Sequence, residues 1–469
     1  MRELAPLLLP VRFVGAFARS FHPAALPPLL RRTYGRELVS WAFLPLMLGA
    51  IEGGTIAIVV KKAFTDQPGV DPFWLDLATA WALAAPNVAN LTSFIWSALA
   101  RGRPKVPFIS WMQIACCVMV TAIACFPRNG WGLIAVCIAL GLARMAWTGV
   151  ITVRAAVWRN NYPGANRATI AGKLATVQSL FLAAAGFMVG KAMDWSPDNY
   201  HLLFPALAVF GFIGNQIYRK VRLRRARQLQ RAELDGRKKD AGFSPMAMVT
   251  LLREDRLYAK FMWWMSVFGF GNLMLGAPMT FVVTDELKLG YTAGIMINTI
   301  VPLLVMPFAI PVWARLMDRM HIIHFRAIHG WSFVTASAAV TLASYMHSEA
   351  LIYLGALLLG IGYAGGTLAW NLGHQDFASA ERDAEYMAVH VTLNGIRGIL
   401  APLAAWGLHQ WLAPRGMAPL VLVICTIINA VGVLGFMSMR HLFAPRSKFD
   451  GDAVAQPEPT PEPTPARVR

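Results

Sequence analysis

The sequence is short of charge, and of acid above all. Charged residues make up 14% of its 469 residues, against about 25% in soluble domains, so most of this chain cannot face water. Asp and Glu number 25 against 43 Lys and Arg. Cysteine is sparse: Cys116, Cys117, Cys125, Cys137 and Cys425 all fall inside apolar stretches without CxxC spacing. That argues against a disulfide framework or a zinc site and leaves them as small packing residues. There is no GxxxxGK[ST] loop, which argues against nucleotide binding and ATP-driven transport by this chain alone; no cofactor is expected. The formal charge of +18 does not point to nucleic acid, because the basic residues sit between apolar runs and form no single patch.

What the chain has is long apolar runs. A bilayer core about 30 Å thick is crossed by ~20 helical residues. Spans are predicted at Leu38 to Val60, Phe73 to Ala100, Val106 to Phe126, Trp131 to Val153, Ile170 to Ala192 and Leu202 to Tyr218. Six more follow at Phe261 to Val283, Thr292 to Trp313, Ile328 to Met346, Leu351 to Leu372, Tyr386 to Trp411 and Ala418 to Met439. The expectation is an all-α polytopic membrane protein of twelve transmembrane helices in two pseudo-symmetric six-helix bundles. Its parts are a basic interfacial segment over 1–37, bundles over 38–218 and 261–440, a charged central loop over 219–260, and a disordered Pro-rich tail over 441–469 containing QPEPTPEPTP. Arg12 and Arg19 interrupt each apolar run near the start, unlike a signal peptide.

Short loops rich in Lys and Arg stay on the cytoplasmic side. Here those are the N-terminus (Arg31, Arg32, Arg36), the second-to-third loop (Arg101, Arg103, Lys105), the fourth-to-fifth (Arg159, Arg167), the central loop and the eighth-to-ninth (Arg315, Arg319, Arg326). Both termini are therefore expected in the cytoplasm, the membrane being a bacterial cytoplasmic membrane and the protein a monomer within it. Trp131, Trp411, Tyr200 and Tyr291 lie near span ends as expected interfacial anchors.

Ala171 to Gly190 aligns weakly with Ala388 to Gly407, each one span before the end of its half. The second half also carries ARLMDRMHIIHF, with an acidic-basic pair at Asp318 and Arg319, and the first half carries SALARGRPK, a basic cluster with no acid. In this layout and these two degenerate loops the chain resembles the major facilitator superfamily. The resemblance implies a transporter, not an enzyme, with gating loops at Arg101, Arg103, Lys105, Asp318 and Arg319. It also implies a cavity lined by the first, fourth, seventh and tenth helices, which would set Glu52 and Arg144 on facing walls.

An ionisable group deep in a span costs at least ~2.5 kcal/mol on insertion scales, so it needs a partner, a wet cavity or a function. Glu52, beside Gly53 and Gly54, and Arg144 in GLARMAWTG are such groups. They are expected to pair, either as a fixed structural ion pair or with Glu52 carrying a proton while Arg144 binds an anion or tunes that acid. Arg397 lies mid-span between Gly395 and Gly398 and either faces the cavity or bonds to nearby backbone. Asn272, Asn87, Asn90 and Gln178 are neutral groups able to bind a small-molecule substrate or to join helices. The glycines of GALLLGIGYAGGTLAWN suit either a bending helix or tight packing. His374, Asp376 and His390 fit no familiar metal spacing, so no metal is expected.

Three functions are compatible with this pattern. The leading one is a proton-coupled secondary transporter; the others are a facilitator-like assembly or lipid-handling factor, and a membrane-embedded transferase using His374 or His390.

Overall fold

The structure, a computed structural model, describes residues 19–236, 245–378 and 382–443. The expectations for residues before 19 and for the tail Gln456 to Pro465 fall outside them. Twelve helical rods run antiparallel in sequence. They are α1 (Pro28–Ala50 and Gly53–Ala63), α2 (Pro72–Asn90 and Ser93–Ala100), α3 (Lys105–Cys125), α4 (Gly130–Asn161), α5 (Gly164–Trp195) and α6 (Tyr200–Tyr218). The second set is α7 (Arg256–Met274, Gly276–Phe281 and Val282–Glu286), α8 (Tyr291–Ile295, Met296–Ile300 and Val301–Met317), α9 (Ile322–Met346), α10 (Glu349–Leu372), α11 (Asp383–Leu412) and α12 (Leu420–Met439). Two short helices, Ala226–Gly236 and Pro245–Glu254, lie between the sets.

Ten of the rods are long and apolar enough to cross a membrane. The other two are α2, broken at Leu91 and Thr92, and α9, which carries His324, Arg326 and His329 in its first turns. Both pack against rods that are long and apolar enough. Local sequence explains where several rods begin: Asp71, Asn129 and Asp255 each accept a backbone N–H of the first turn of α2, α4 and α7. The rods α4 and α5 are 32 residues each, about 48 Å long, so they outreach the hydrocarbon core. For that reason they start or end beyond the apolar spans that hydropathy picks out. Likewise α1 begins at Pro28 rather than Leu38, because RRTYGRE, though basic, has good helix formers and continues the helix outside lipid.

The packing repeats with an offset of six. In the first set α1 packs on α5 and α6, α3 on α4 and α6, and α2 on α4; in the second α7 packs on α11 and α12, α9 on α10 and α12, and α8 on α10. The halves meet through α2 with α11 and α5 with α8, which are each other's counterparts under the same offset. The glycine-rich α10 is one unbroken helix, with Gly355 against Val340, Gly360 against Pro302 and Gly365 against His329. Its glycines serve close packing on α8 and α9.

Of the four expected interfacial anchors, Trp131 is 81% and Trp411 57% exposed, whereas Tyr200 and Tyr291 are buried. Tyr200 donates to the Phe126 carbonyl at 2.8 Å, a helix-end contact inside the bundle. A phenol with an internal acceptor has no need of the lipid interface.

At Gly432 a methyl group would sit 2.5 Å from Phe268 Cβ and 2.6 Å from its Cα, so α12 and α7 touch backbone to side-chain base. Gly432→Ala should lower the unfolding temperature of the purified protein, with an overpacking cost of about 1–3 kcal/mol. Gly407→Ala, at a position with open space around it, should leave the unfolding temperature unchanged.

Candidate functional site

The first feature grows from a break in α1. Ile51 leaves the helix and Glu52 is extended before the chain re-enters it at Gly53. A break inside lipid strands a carbonyl that water cannot reach. Arg144, on α4 and 7% exposed, donates through Nη2 to that Ile51 carbonyl and to Glu52 Oε2, the latter at 3.2 Å. Glu52 and Arg144 are therefore in contact, and Arg144 also closes the backbone gap. The Glu52 side chain keeps 33% of its surface exposed. Opposite the break, a methyl at Gly54 would meet Thr299 Oγ1 at 2.4 Å and the Asn298 carbonyl at 2.7 Å, where α8 widens into a π turn over Met296–Ile300. That approach brings the two halves together beside Glu52.

A cavity of about 440 Å³ lies between the halves. Asn87 and Asn90 of α2, Asn272 of α7, Asn394 and Arg397 of α11, Thr367 and Trp370 of α10 and Arg326 of α9 line it. Asn90 accepts from the Thr148 hydroxyl at 3.4 Å. Arg397 does both things considered for it. It lines the cavity, and its Nη1 donates to the Met265 carbonyl at 2.7 Å while Nε and Nη2 reach Asn394 Oδ1 at 3.2 and 2.9 Å. Gln178, half-buried on α5, is not among the lining residues, and neither Glu52 nor Arg144 is.

Sequence reasoning placed Arg326 in the eighth-to-ninth loop as a topology signal. It sits inside α9 with 3% exposure and faces the cavity. The available signal was spacing: Arg326, Gly330 and Phe333 share a helix face, and Gly330 and Phe333 pack towards Phe268 of α7. A second buried acid, Glu37 of α1, also escaped, because it falls one residue before the predicted span. It is fully buried and accepts from Trp158 Nε1 at 2.9 Å, while Arg154 lies between Trp41 and Trp158, 4.2 and 4.4 Å from their rings.

A polar cluster joins the halves at the end remote from Pro28 and Met439. There Lys61 of α1 pairs with Asp76 of α2 at 2.5 Å and crosses to Asp285 of α7 at 2.9 Å. Gln410 of α11 donates to Asp76 Oδ2 at 2.7 Å, Lys62 to the Leu289 carbonyl at 2.6 Å, and the Tyr291 and Thr292 amides to Asp194 of α5 at 2.6 and 3.0 Å. Among the described residues, each hydrogen bond and ion pair between the halves lies at this far end, the innermost being Thr55 to Thr299 at 3.4 Å. The cavity instead extends from mid-depth, at Asn272 and Arg397, towards the terminal end at Trp370 and Arg326. The protein is closed at the far end and open at the end that carries the basic loops.

At that basic end the acid missing from SALARGRPK arrives from elsewhere. Glu233, on the helix Ala226–Gly236, accepts from the Gly102 amide at 2.8 Å and from Lys105 Nζ at 2.6 Å. Arg101 and Arg103 are exposed, as are Asp318 and Arg319 in the second-half loop. Asp376 Oδ2 accepts from the Ile322 amide at 2.6 Å and so caps α9, while His374 and His390 are buried.

The family model described as Major Facilitator Superfamily matches residues 8–402. Among solved structures, a POT family transporter in complex with 5-aminolevulinic acid superposes with a TM-score of 0.67 at 12% identity, covering 87% of this chain and 97% of that one. The nucleoside transporter NupG gives 0.64 at 11% identity, covering 86% and 98%. The inward-open xylose transporter XylE from E. coli gives 0.58 at 11% identity, covering 88% and 98%. Among curated proteins, a search by sequence finds no match.

Removing the cation from the far-end cluster strips the buried Asp76 of its partner, a loss of about 3–5 kcal/mol for a buried pair, and cuts the link across to the half-exposed Asp285. Lys61→Met should therefore add a longer-distance population between spin labels placed at Gln67 and Lys288, read by pulsed electron resonance. An unchanged distance distribution would remove Lys61 from the gate.

Proposed function

From the chain's membership of the Major Facilitator Superfamily, we propose that this membrane transporter is a secondary active one, moving a small solute by alternating access and coupled to protons through Glu52. The observation that carries the reading is the asymmetry of the contacts between halves: a polar clamp closes one end, while a cavity that carries Arg326, Arg397 and four asparagines opens to the other. Rocking the halves about α2–α11 and α5–α8 would exchange the open end for the closed one. Glu52 suits the coupling role because it is partly exposed and sits where α1 breaks, two residues before Gly54, which approaches the α8 turn of the other half. Protonation would release its hold on Arg144, which also secures the Ile51 carbonyl, so charge state and helix geometry are linked.

The basic loops at the open end support a cytoplasmic placement of that end and of both termini. There stand Arg31, Arg32, Arg36, Arg101, Arg103, Lys105, Arg315 and Arg319, whereas Lys61, Lys62 and Arg128 at the far end are offset by Asp76, Asp194, Asp198 and Asp285. In this reading the state seen faces inward, in a bacterial cytoplasmic membrane. The similar structures carry solutes as different as nucleosides, peptides and xylose, so they do not choose a substrate for this chain. A cavity between the halves that presents two arginines and four asparagines weighs against an assembly factor that moves nothing. The transferase reading, which rested on His374 or His390, is set aside by the family, whose members are transporters.

Proteoliposomes offered radiolabelled sugars, amino acids, nucleosides and carboxylates should accumulate one class, and only under an acid-outside gradient. Glu52→Gln should abolish that accumulation while keeping exchange of the same solute across the membrane. Equal uptake with and without the gradient would reject proton coupling.

A further inference from the structure

The central cavity carries charge of one sign. Among its described lining residues Arg326 and Arg397 are the cations, and no Asp or Glu stands with them. Both are buried, at 3% and 6% exposure, and among the described residues neither forms an ion pair. Arg397 is held by two neutral acceptors, the Met265 carbonyl and Asn394 Oδ1. Arg326 lies over the Phe268 ring with its Cζ 5.9 Å from the centroid, and its Nε has no hydrogen-bond partner.

One stretch of α7 gathers both guanidinium groups. Met265 supplies the carbonyl, Phe268 the ring and Gly269 the space, for a methyl at Gly269 would come within 2.7 Å of Arg397 Cζ. From the other half, Asn87 packs against Gly398, the residue after Arg397. Two cations buried inside a membrane-spanning bundle without a counter-ion, one at mid-depth and one towards its end, are costly, and proteins that keep such groups use them on a substrate path. Arginine's planar fork matches a carboxylate or phosphate in a bidentate fashion.

We propose that Arg326 and Arg397 form an oxyanion-binding subsite, and that the solute carried is an organic anion docked there by its carboxylate or phosphate. The inference rests on the transport reading above and names its substrate class. The rest of such a solute meets Asn87, Asn90 and Asn272, so the anion is held by the second half and its body by both. Binding then draws α2 towards α7 and α11 across the opening.

The test uses the full chain purified in detergent at constant ionic strength, with unfolding temperature as the readout. The probes are succinate, pyruvate and inorganic phosphate, with succinamide as the uncharged control. At least one anion should stabilise the protein and succinamide should not. Arg326→Gln and Arg397→Gln should each weaken the responding anion about ten-fold or more, the scale of a lost charge-assisted bond. Asn272→Asp keeps every arginine contact but places a competing carboxylate in the cavity; it should elute as a monodisperse protein and lose the response. No response to any of the three anions, or an equal response in all three variants, overturns the subsite. Exchange across proteoliposomes separates the two claims. Anion binding without anion exchange would contradict transport and leave the subsite standing, whereas exchange of an uncharged solute that survives both arginine substitutions would contradict the subsite and leave transport standing.

Discussion

A charge or an open carbonyl inside a bilayer has no water to turn to, and the placement of nearly every polar group in this protein follows from that. The break in α1 exists because Arg144 reaches the carbonyl that the break exposes. Arg397 is tolerable mid-membrane because Met265 and Asn394 take three of its N–H groups. Lys61 is buried because Asp76 and Asp285 meet it from both halves. Where such compensation is complete the group holds the fold together; where it is partial, as at Arg326 and Glu52, the remaining capacity faces the cavity or the junction between halves.

The same constraint explains why the halves can part. Away from the far end their contact surfaces, α2 with α11 and α5 with α8, are closely approached and carry no ion pair among the described residues, with Gly395 against Leu91 and Gly186 against Ile295. Apolar contacts of this kind slide without leaving buried charge behind. Directional polar bonds between halves are confined to the far side of the break in α1, and apart from the buried Thr55–Thr299 contact they engage loops and helix ends, where water can replace them on opening. Six-fold offset in the packing then gives the opposite end an equivalent surface on which to close.

The architecture was legible in the sequence because hydrocarbon thickness fixes helix length and the basic loops fix the order of turns. The span limits were less legible, since helices such as α1, α4 and α5 continue past the membrane on ordinary helix propensity. The pairing of Glu52 with Arg144 followed from their depth together with the helix arrangement that the resemblance implies, and the cavity positions of Asn87, Asn90, Asn272 and Arg397 from polarity within apolar spans. Arg326 and Glu37 were hidden by their nearness to span ends, where a buried charge and a topology signal look alike in one dimension. Glu233 was hidden for a different reason: it meets Lys105 across 128 positions, and no local pattern reports a contact of that kind.

The account stands on the cavity being reached from one end at a time. Asn272→Cys, in a background without the native cysteines, places a thiol at mid-depth in that cavity. A membrane-impermeant maleimide should label it rapidly in inverted vesicles, where the basic loops face the reagent, and far more slowly in right-side-out vesicles. Labelling at equal rates from both sides, or from neither, would contradict a path that is closed at Lys61 and open beneath Arg326.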